Sequence, residues 1–204
     1  MVISLNIGII GIQGAISEHV HLMNKIFKIN HINGKIFFIK NKFEIKSIDA
    51  LIIPGGESTT ISKFLLNFGI YDEILNRINE NDLPIMGTCA GCVLLSNEIA
   101  NETKEISLLK AMDMKVIRNA FGRQRESFEN DIFINVLEKP FNAIFIRAPI
   151  IEKVWGKCDV ISKIDNNIIM ARQDKYLALS FHPELTNDLR IHEYFLEIIE
   201  DHLK

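Results

Sequence analysis

Cysteine is scarce in this sequence, and that scarcity limits the class of protein. Only three cysteines occur, Cys89, Cys92 and Cys158, an odd number that is too small for a disulfide framework. A reducing, cytoplasmic compartment is therefore the simplest expectation. No metal or other cofactor is expected, because no second pair of cysteines or histidines has the spacing of metal ligands.

Long apolar runs and a strong net charge are also lacking. No stretch is long enough to span a bilayer, and the N-terminal segment has no charged region of the kind that begins a signal peptide. The formal net charge of −3 argues against broad binding to nucleic acid or to anionic membranes. With 204 residues, no internal repeat and no linker, we expect one domain over 1–204.

Apolar runs alternate with helical patterns in the first half of the chain. Strand patterns lie at 3–12, 35–40 and 49–53, and helical patterns at 19–29, from residue 60 with Ser58 or Thr59 as the cap, and at 71–79. This alternation predicts an α/β fold, a three-layer domain with a mostly parallel central sheet and helices on both faces. Further strand patterns lie at 112–118, 131–137, 143–147, 168–173 and 177–181, and some of these are expected to form an antiparallel extension of the sheet. A helix over 188–203 closes the chain.

The stretch Gly-Thr-Cys-Ala-Gly at 87–91 lies between a short apolar run and a helix-like run over 92–99. A cysteine between a strand end and a helix start, with small neighbours, is typical of a nucleophile elbow. The helix dipole at that position favours the thiolate of Cys89. An ordinary buried cysteine at a strand end is the alternative for this motif taken alone.

A cysteine nucleophile needs a base, and the base needs an orienting group. His182 follows an apolar strand pattern and precedes Pro183 and Glu184. Pro183 biases His182 toward extended backbone, in which Glu184 projects to the same side as the imidazole. A plain loop histidine is the alternative. The other five histidines, His19, His21, His31, His192 and His202, are expected to be solvated surface residues.

Acyl transfer also needs hydrogen-bond donors for an oxyanion. The N–H of Ala90 follows the nucleophile, and the Gly55-Gly56 turn can supply a second donor. A simple strand-to-helix turn is the alternative for Gly55-Gly56. Because sites in parallel sheets form beyond the carboxyl ends of the strands, the ends near Gln13, Gly56 and Cys89 are expected to meet at one edge.

Cys89 and Cys92 also form a C-x-x-C pair, the spacing of a thioredoxin-like redox site. This redox module is the main alternative from a different class of protein. It leaves His182, Glu184 and the glycine turn without a role, and no tryptophan or proline lies beside the cysteines.

Six stretches together carry a family resemblance. They are Gly-Ile-Gln-Gly at 11–14, Pro-Gly-Gly-Glu-Ser-Thr-Thr at 54–60, the elbow at 87–91, Arg-Asn-Ala-Phe-Gly-Arg-Gln at 118–124, Phe-Ile-Arg-Ala-Pro at 145–149 and Phe-His-Pro-Glu-Leu-Thr at 181–186. The chain resembles the glutaminase subunits of pyridoxal 5′-phosphate synthase, which are class I (triad) glutamine amidotransferases of flavodoxin-like fold. The stretches at 118–124 and 145–149 are the most specific of the six.

The resemblance implies roles for particular residues. Cys89 would attack the side-chain amide of L-glutamine, with His182 as base and acid and Glu184 orienting it. Gly56 and Ala90 would be the oxyanion donors. The residues implied to line the glutamine site are Gly56, Glu57, Ser58, Arg118, Ile146 and Arg147. Arginine suits the α-carboxylate of a free amino acid, although a surface role for Arg118 and Arg147 stays open.

The resemblance also implies a partner, a TIM-barrel synthase subunit that receives the ammonia near Gln13. Little turnover by the isolated chain is then expected. A glutaminase for another acceptor, such as imidazole glycerol phosphate synthase, is the closest alternative. Two positions depart from the family: Ile117, where an acidic residue is frequent, and Ile150, where histidine is frequent. Cys92 is expected to be a core residue.

Overall fold

The computed structural model describes residues 4–100, 105–120 and 127–204. The strands are β1 (Ser4–Ile10), β2 (Asn33–Ile39), β3 (Ala50–Ile53), β4 (Ile85–Thr88), β5 (Ser96–Ile99), β6 (Met112–Ile117), β7 (Ser127–Ile132), β8 (Phe141–Ile146), β9 (Ile150–Val154), β10 (Asp159–Ile164), β11 (Asn167–Gln173) and β12 (Tyr176–Leu179). The helices are α1 (Ile16–Ile29), α2 (Lys42–Ile45), α3 (Ser58–Asn67), α4 (Ile70–Asn79), α5 (Ala90–Leu95) and α6 (Arg190–Leu203), with a 3-10 turn at Pro183–Leu185. Within these ranges, no helix is long and apolar enough to cross a membrane.

The main sheet joins the two halves of the chain. Its order is β2-β1-β3-β4-β12-β11-β9-β6-β5, and β10 pairs with β11. The first five strands of this order are parallel to one another, and the pairs β12–β11, β11–β9 and β9–β6 are antiparallel. The late strand β12 thus lies beside β4 and next to the cysteine elbow.

The strands at the centre of the sheet are apolar on both faces because both faces are covered. Along β3, Leu51 and Ile53 belong to one buried cluster, whereas Ala50 and Ile52 belong to the other. The first cluster contains side chains of α3, α4 and α5, and the second contains those of α1 and α6. This alternation is the period-2 pattern of a strand with two buried faces. The three-layer α/β prediction is confirmed.

A separate two-stranded antiparallel sheet, β7–β8, packs against the second cluster. Phe141 and Phe145 on β8 are fully buried, and both rings lie within 6 Å of the Phe181 ring, at centroid separations of 5.8 and 5.7 Å. This packing fixes the end of β8 against the segment that carries His182, since the His182 N–H also donates to the Ile144 carbonyl at 2.8 Å.

Several local predictions were wrong. The helix-like run over 92–99 divides, because α5 ends at Leu95 and β5 then pairs in parallel with β6. The Ser96 hydroxyl donates to the Val93 carbonyl at 2.7 Å and ends the helix. The strand predicted at 131–137 is β7, at Ser127–Ile132, and the sequence patterns did not reveal β9 or β10.

Candidate functional site

Two neighbouring parallel strands place the cysteine and the histidine together. β4 and β12 pair in parallel with Thr88 opposite Leu179. Cys89 follows β4 directly, and His182 follows β12 after two residues. Carboxyl ends of parallel strands meet at one sheet edge, so residues 93 positions apart (182 − 89) become neighbours.

The backbone at Cys89 is strained in the way that an elbow requires. Its φ and ψ are 49° and −98°, a conformation that residues with a side chain rarely adopt. The Cys89 N–H donates to the Leu179 carbonyl at 2.8 Å, which ties the elbow to β12. Position 91 has no room for a side chain, because a Cβ added to Gly91 would lie 2.1 Å from the Ile53 carbonyl oxygen. Glycine at this second glycine position of the motif therefore allows α5 to start close to β3.

His182 is hydrogen-bonded to Glu184 and also interacts with Cys89. Its Nδ1 lies 2.7 Å from Glu184 Oε1, and both side chains are buried. Burial lowers the pKa of His182, but the hydrogen bonds with Cys89 and Glu184 outweigh it and raise the pKa to about 10. The imidazolium is therefore the favoured form of His182 beside Cys89.

The path by which Glu184 reaches His182 differs from the prediction. His182 has φ −108° and ψ 86°, and Pro183–Leu185 forms a 3-10 turn rather than extended backbone. The turn brings the carboxylate back to the imidazole. Pro183 suits the first position of that turn because its φ is fixed and its missing N–H is not needed there. The contact between His182 and Glu184 was predicted, but from extended backbone, whereas the structure makes it through a 3-10 turn.

The glycine turn after β3 packs against the cysteine and the histidine. A Cβ at Gly55 would lie 2.3 Å from His182 Cε1 and 3.3 Å from Cys89 Cβ, so this close approach requires glycine. Glu57, two residues further along this turn, is held by the loop that follows β1, because its N–H donates to Gln13 Oε1 at 3.2 Å. The predicted meeting of these strand ends is present.

A cavity of about 330 Å³ opens over Cys89. This volume lies near the lower end of the range of about 300–1,000 Å³ for small-molecule sites. Its lining includes every predicted site residue except Glu184, namely Gly56, Glu57, Ser58, Cys89, Ala90, Arg118, Ile146, Arg147 and His182. Glu184 lies behind His182, away from the cavity. Val93 also lines the cavity, outside all six stretches, whereas Asn119, Pro149 and Leu185 lie within the stretches but had not been assigned to the site.

Glu57 links the cavity to helix α3 and to Arg118. Its Oε2 accepts from the Thr60 N–H at 2.7 Å, so Glu57 is the N-cap of α3, and the expectation of Ser58 or Thr59 as cap was wrong. Burial raises the pKa of Glu57, but these hydrogen bonds outweigh it and the pKa is lowered. Its Oε1 accepts from Arg118 at 3.1 Å. Residues 121–124 of the motif that begins at Arg118 lie outside the described residues.

Ile117 and Ile150, the two positions expected to depart from the resembled family, face each other. Ile117 and Ile150 are register partners in the β6–β9 pair. Ile150 is buried and Ile117 is half-buried, so the two side chains form one apolar cross-strand pair. Arg118 directly follows this pair and still reaches the cavity.

Cys92 is completely buried, as expected for a core residue. Burial raises the pKa of its thiol far above the usual range, so the thiolate that redox exchange needs is disfavoured. All three cysteines are free thiols. In the part of the chain that the structure describes, no group of three or more His, Cys, Asp or Glu side chains could hold a metal ion.

The expectation that all remaining histidines are solvated was wrong for two of them. His19 on α1 and His192 on α6 have no exposed surface, whereas His21 and His31 are exposed. His19 Nε2 is 3.5 Å from Glu184 Oε2, the carboxylate oxygen that does not bond to His182. The helical spacing of apolar residues could have indicated that His19 is buried, since Leu22, Met23 and Ile26 share the buried face of α1 with it.

Known proteins resemble this chain along nearly its whole length. A pyridoxal 5′-phosphate synthase subunit PdxT from Staphylothermus marinus is 47% identical, with 96% of this chain and 98% of that protein covered. One of the same name from Methanosarcina barkeri is 45% identical at 96% and 98% coverage. A crystal structure of a glutamine amidotransferase superposes with a TM-score of 0.85 at 40% identity, covering 95% of this chain and 98% of that one.

A glutamine amidotransferase from Thermotoga maritima has a TM-score of 0.59 at 12% identity, a likeness of fold alone. The family match itself runs over residues 9–201, which takes in the elbow, the glycine turn and the His-Pro-Glu segment. The chain belongs to the SNO glutamine amidotransferase family.

Proposed function

We propose that this chain hydrolyses L-glutamine to L-glutamate and ammonia through a thioester on Cys89. The ammonia then passes to a pyridoxal 5′-phosphate synthase subunit for vitamin B6 biosynthesis. One observation carries the proposal: a strained cysteine lies beside a buried His182–Glu184 pair, at the floor of a cavity of amino-acid size. Relatives of 45–47% identity bear the name of that synthase subunit.

The chemistry follows from the order of the three side chains. The Cys89 sulfur attacks the amide carbon of glutamine, and His182 gives its proton to the departing ammonia. Water then attacks the thioester, His182 takes a proton from it, and glutamate leaves as the sulfur is released. Glu184 holds the imidazole through Nδ1, which keeps Nε2 free for both proton transfers.

Negative charge develops on the amide oxygen in both steps. The N–H of Ala90 begins α5, so it has no intrahelical partner and serves as one donor. Gly56, in the turn packed against Cys89 and His182, supplies the second. Its φ of 147° is available to glycine and strained for other residues.

Recognition of glutamine is assigned to the polar rim of the cavity. Arg118 and Arg147 provide guanidinium donors for the α-carboxylate, and Glu57 provides an acceptor for the α-ammonium group. Gly56, Ser58 and Ile146 complete the lining. Arg118 already donates to Glu57, so both side chains are held at the mouth of the cavity before glutamine arrives.

The acceptor of the ammonia is assigned to a separate TIM-barrel synthase subunit. Residues 1–204 serve as one glutaminase domain, because β12 from the second half of the chain lies inside the sheet of the first half. The segment around Gln13 and Gly14 lies at the mouth of the cavity, where a partner would close it. The three free thiols fit a reducing cytoplasm.

Glutamate release, measured with and without purified synthase subunit, tests the proposal. We expect slow release from the isolated chain and a marked increase on adding the synthase subunit of pyridoxal 5′-phosphate synthase. The synthase subunit of imidazole glycerol phosphate synthase should give no increase. Activation by the latter alone would replace the proposed acceptor, and no release with either would remove the glutaminase function.

Cys92→Ser separates the glutaminase from a C-x-x-C redox module. A glutaminase should keep its kcat, because Cys92 lies in the core and not in the cavity. A redox protein would lose function. Circular dichroism of the variant gives the control for folding, since a hydroxyl replaces a buried thiol.

A further inference from the structure

Two buried histidines extend the line of polar groups behind the candidate triad. His19 lies in the first half of α1, and His192 lies near the start of α6. Both rings have no exposed surface. Neither lines the cavity over Cys89, so contact with substrate does not explain their burial. Burying an imidazole is costly unless its nitrogens find partners.

The contacts of these rings lead from Glu184 into the core. Glu184 uses Oε1 for His182, and its Oε2 lies 3.5 Å from His19 Nε2. His19 Nδ1 lies 2.9 Å from His192 Nε2. Residues 4–100, 105–120 and 127–204 offer no hydrogen-bond partner to Glu184 Oε2, to His19 Nε2 or to His192 Nδ1. The 3.5 Å approach of His19 Nε2 is thus the polar contact that the structure gives the second oxygen of Glu184.

Counting protons selects one arrangement. Burial lowers the pKa of His19, although Glu184 opposes this, and burial and His19 lower the pKa of His192 further. Both rings are therefore neutral at pH 7, with one N–H each. An N–H on His19 Nε2 faces the carboxylate, which leaves Nδ1 as an acceptor. His192 Nε2 must then be the donor to it, and His192 Nδ1 is left as an unpaired acceptor.

The reverse arrangement is unfavourable. A lone pair on His19 Nε2 would face a carboxylate oxygen in a buried site, where such repulsion is poorly screened. The titratable groups that act on the pKa of His19 are Glu184, His182 and Glu18, and of these only Glu18 lies at the exposed surface. His192 contacts the ring directly.

We propose that His19 is a positioning residue for Glu184 and that His192 fixes the tautomer of His19. This inference rests on the proposed glutaminase function. The His19 N–H stabilises the ionised carboxylate and limits its rotation, so Oε1 stays aligned with His182 Nδ1. Without His19, Glu184 is protonated more easily, and the imidazolium of His182 loses part of its support.

Steady-state kinetics of variants in complex with the synthase subunit test this role. His19→Leu should lower kcat about tenfold, the effect of losing roughly 1.4 kcal/mol, with little change in KM for glutamine. The acidic limb of the kcat profile should move to higher pH, because Glu184 then takes up a proton more readily. His19→Gln, which restores an N–H donor, should recover most of kcat and the original limb.

His192→Leu should give a smaller change in the same direction, and His202→Leu on the same helix should give none. A folded His19→Leu variant with wild-type kcat and pH profile would overturn the inference. A loss of kcat without a pH shift, and without recovery in His19→Gln, would also overturn it, since that is the behaviour of a purely structural residue.

Nitrogen NMR of the imidazole rings in the wild-type chain gives a test that needs neither variant nor turnover. At pH 7, His19 and His192 should both be neutral and carry the proton on Nε2. A proton on His19 Nδ1, or a doubly protonated ring, would contradict the inference. If the wild-type complex releases no glutamate, the proposed function fails, and the NMR result still decides the arrangement of the two rings.

Discussion

The two sides of His182 are built in different ways. On the front, Cys89, Gly56, Arg118 and Arg147 come from strand ends and turns around an open cavity. At the rear, Glu184, His19 and His192 lie buried between α1, α6 and the 3-10 turn. The difference indicates a division of labour. In the proposed function, the front binds glutamine and performs the covalent chemistry, and the rear keeps one imidazole correctly oriented and protonated.

Removing the nucleophile from the front should have the largest effect. Cys89→Ala should lower kcat for glutamate release at least about a thousandfold, because loss of the attacking sulfur leaves only binding and oxyanion stabilisation. Glutamine-dependent glutamate release in the synthase complex measures this. Cys158→Ala is the matched control and should keep its rate. An unchanged rate in Cys89→Ala would refute the assignment of the nucleophile.

Removing the charge of Glu184, at the rear, should have the next largest effect. Glu184→Gln keeps the shape and an acceptor oxygen but removes the charge that supports the imidazolium. We expect kcat to fall about a hundredfold, within the range for general acid–base groups, and KM to change little. Glu197→Gln, an exposed change on α6, is the control. A large rise in KM with normal kcat would place Glu184 in substrate binding instead.

Removing a front arginine should act on binding rather than on chemistry. Arg118→Ala should raise KM for glutamine about tenfold or more, the loss of a charged hydrogen bond worth roughly 1.5–3 kcal/mol. Lys115→Ala removes a cation of β6, the strand just before Arg118, that is paired with Glu152, and it should leave KM unchanged. A lower kcat with an unchanged KM in Arg118→Ala would contradict the assignment of this front arginine to substrate binding.

The pH dependence of stability should give the smallest effect. The pKa of His182 is raised from the ordinary histidine value of 6.5 to about 10, so its protonated form stabilises the folded state. That contribution is complete below about pH 6.5 and is lost as pH rises through about 10. Denaturant unfolding of the wild type should show a falling free energy across this window.

The matched variants for the unfolding measurement are His182→Ala and Cys89→Ala. His182→Ala should lack this decline. Cys89→Ala should lose the contribution at lower pH, since one of the two partners of His182 is gone. A free energy of unfolding that rises across the window in the wild type would contradict the protonated state assigned to His182.

The front of the site could be predicted from the sequence because each part is local. The elbow, the glycine turn and the His-Pro-Glu segment are short patterns at strand ends, and parallel pairing alone brings such ends together. The family resemblance carried by the six stretches added Arg118 and Arg147 to the predicted site. Even here the cap of α3 was misplaced, since Ser58 looks like a cap by residue type whereas Glu57 satisfies the Thr60 N–H.

The rear could not be predicted in the same way. His19 and His192 lie 173 positions apart, and only the packing of α1 against α6 makes them neighbours. A histidine on an apolar helix face is ambiguous until its partner is known. The end of α5 at Leu95 likewise depends on β6 accepting β5 as a parallel neighbour, which no pattern within 92–99 reveals.

Trapping the covalent intermediate tests the central claim most directly. The wild-type complex is mixed with glutamine, quenched in acid within the first turnovers and digested for peptide mass spectrometry. We predict a γ-glutamyl thioester on Cys89 alone, with Cys92 and Cys158 unmodified. Glutamate release without any adduct on Cys89, or with an adduct on another residue, would contradict the account.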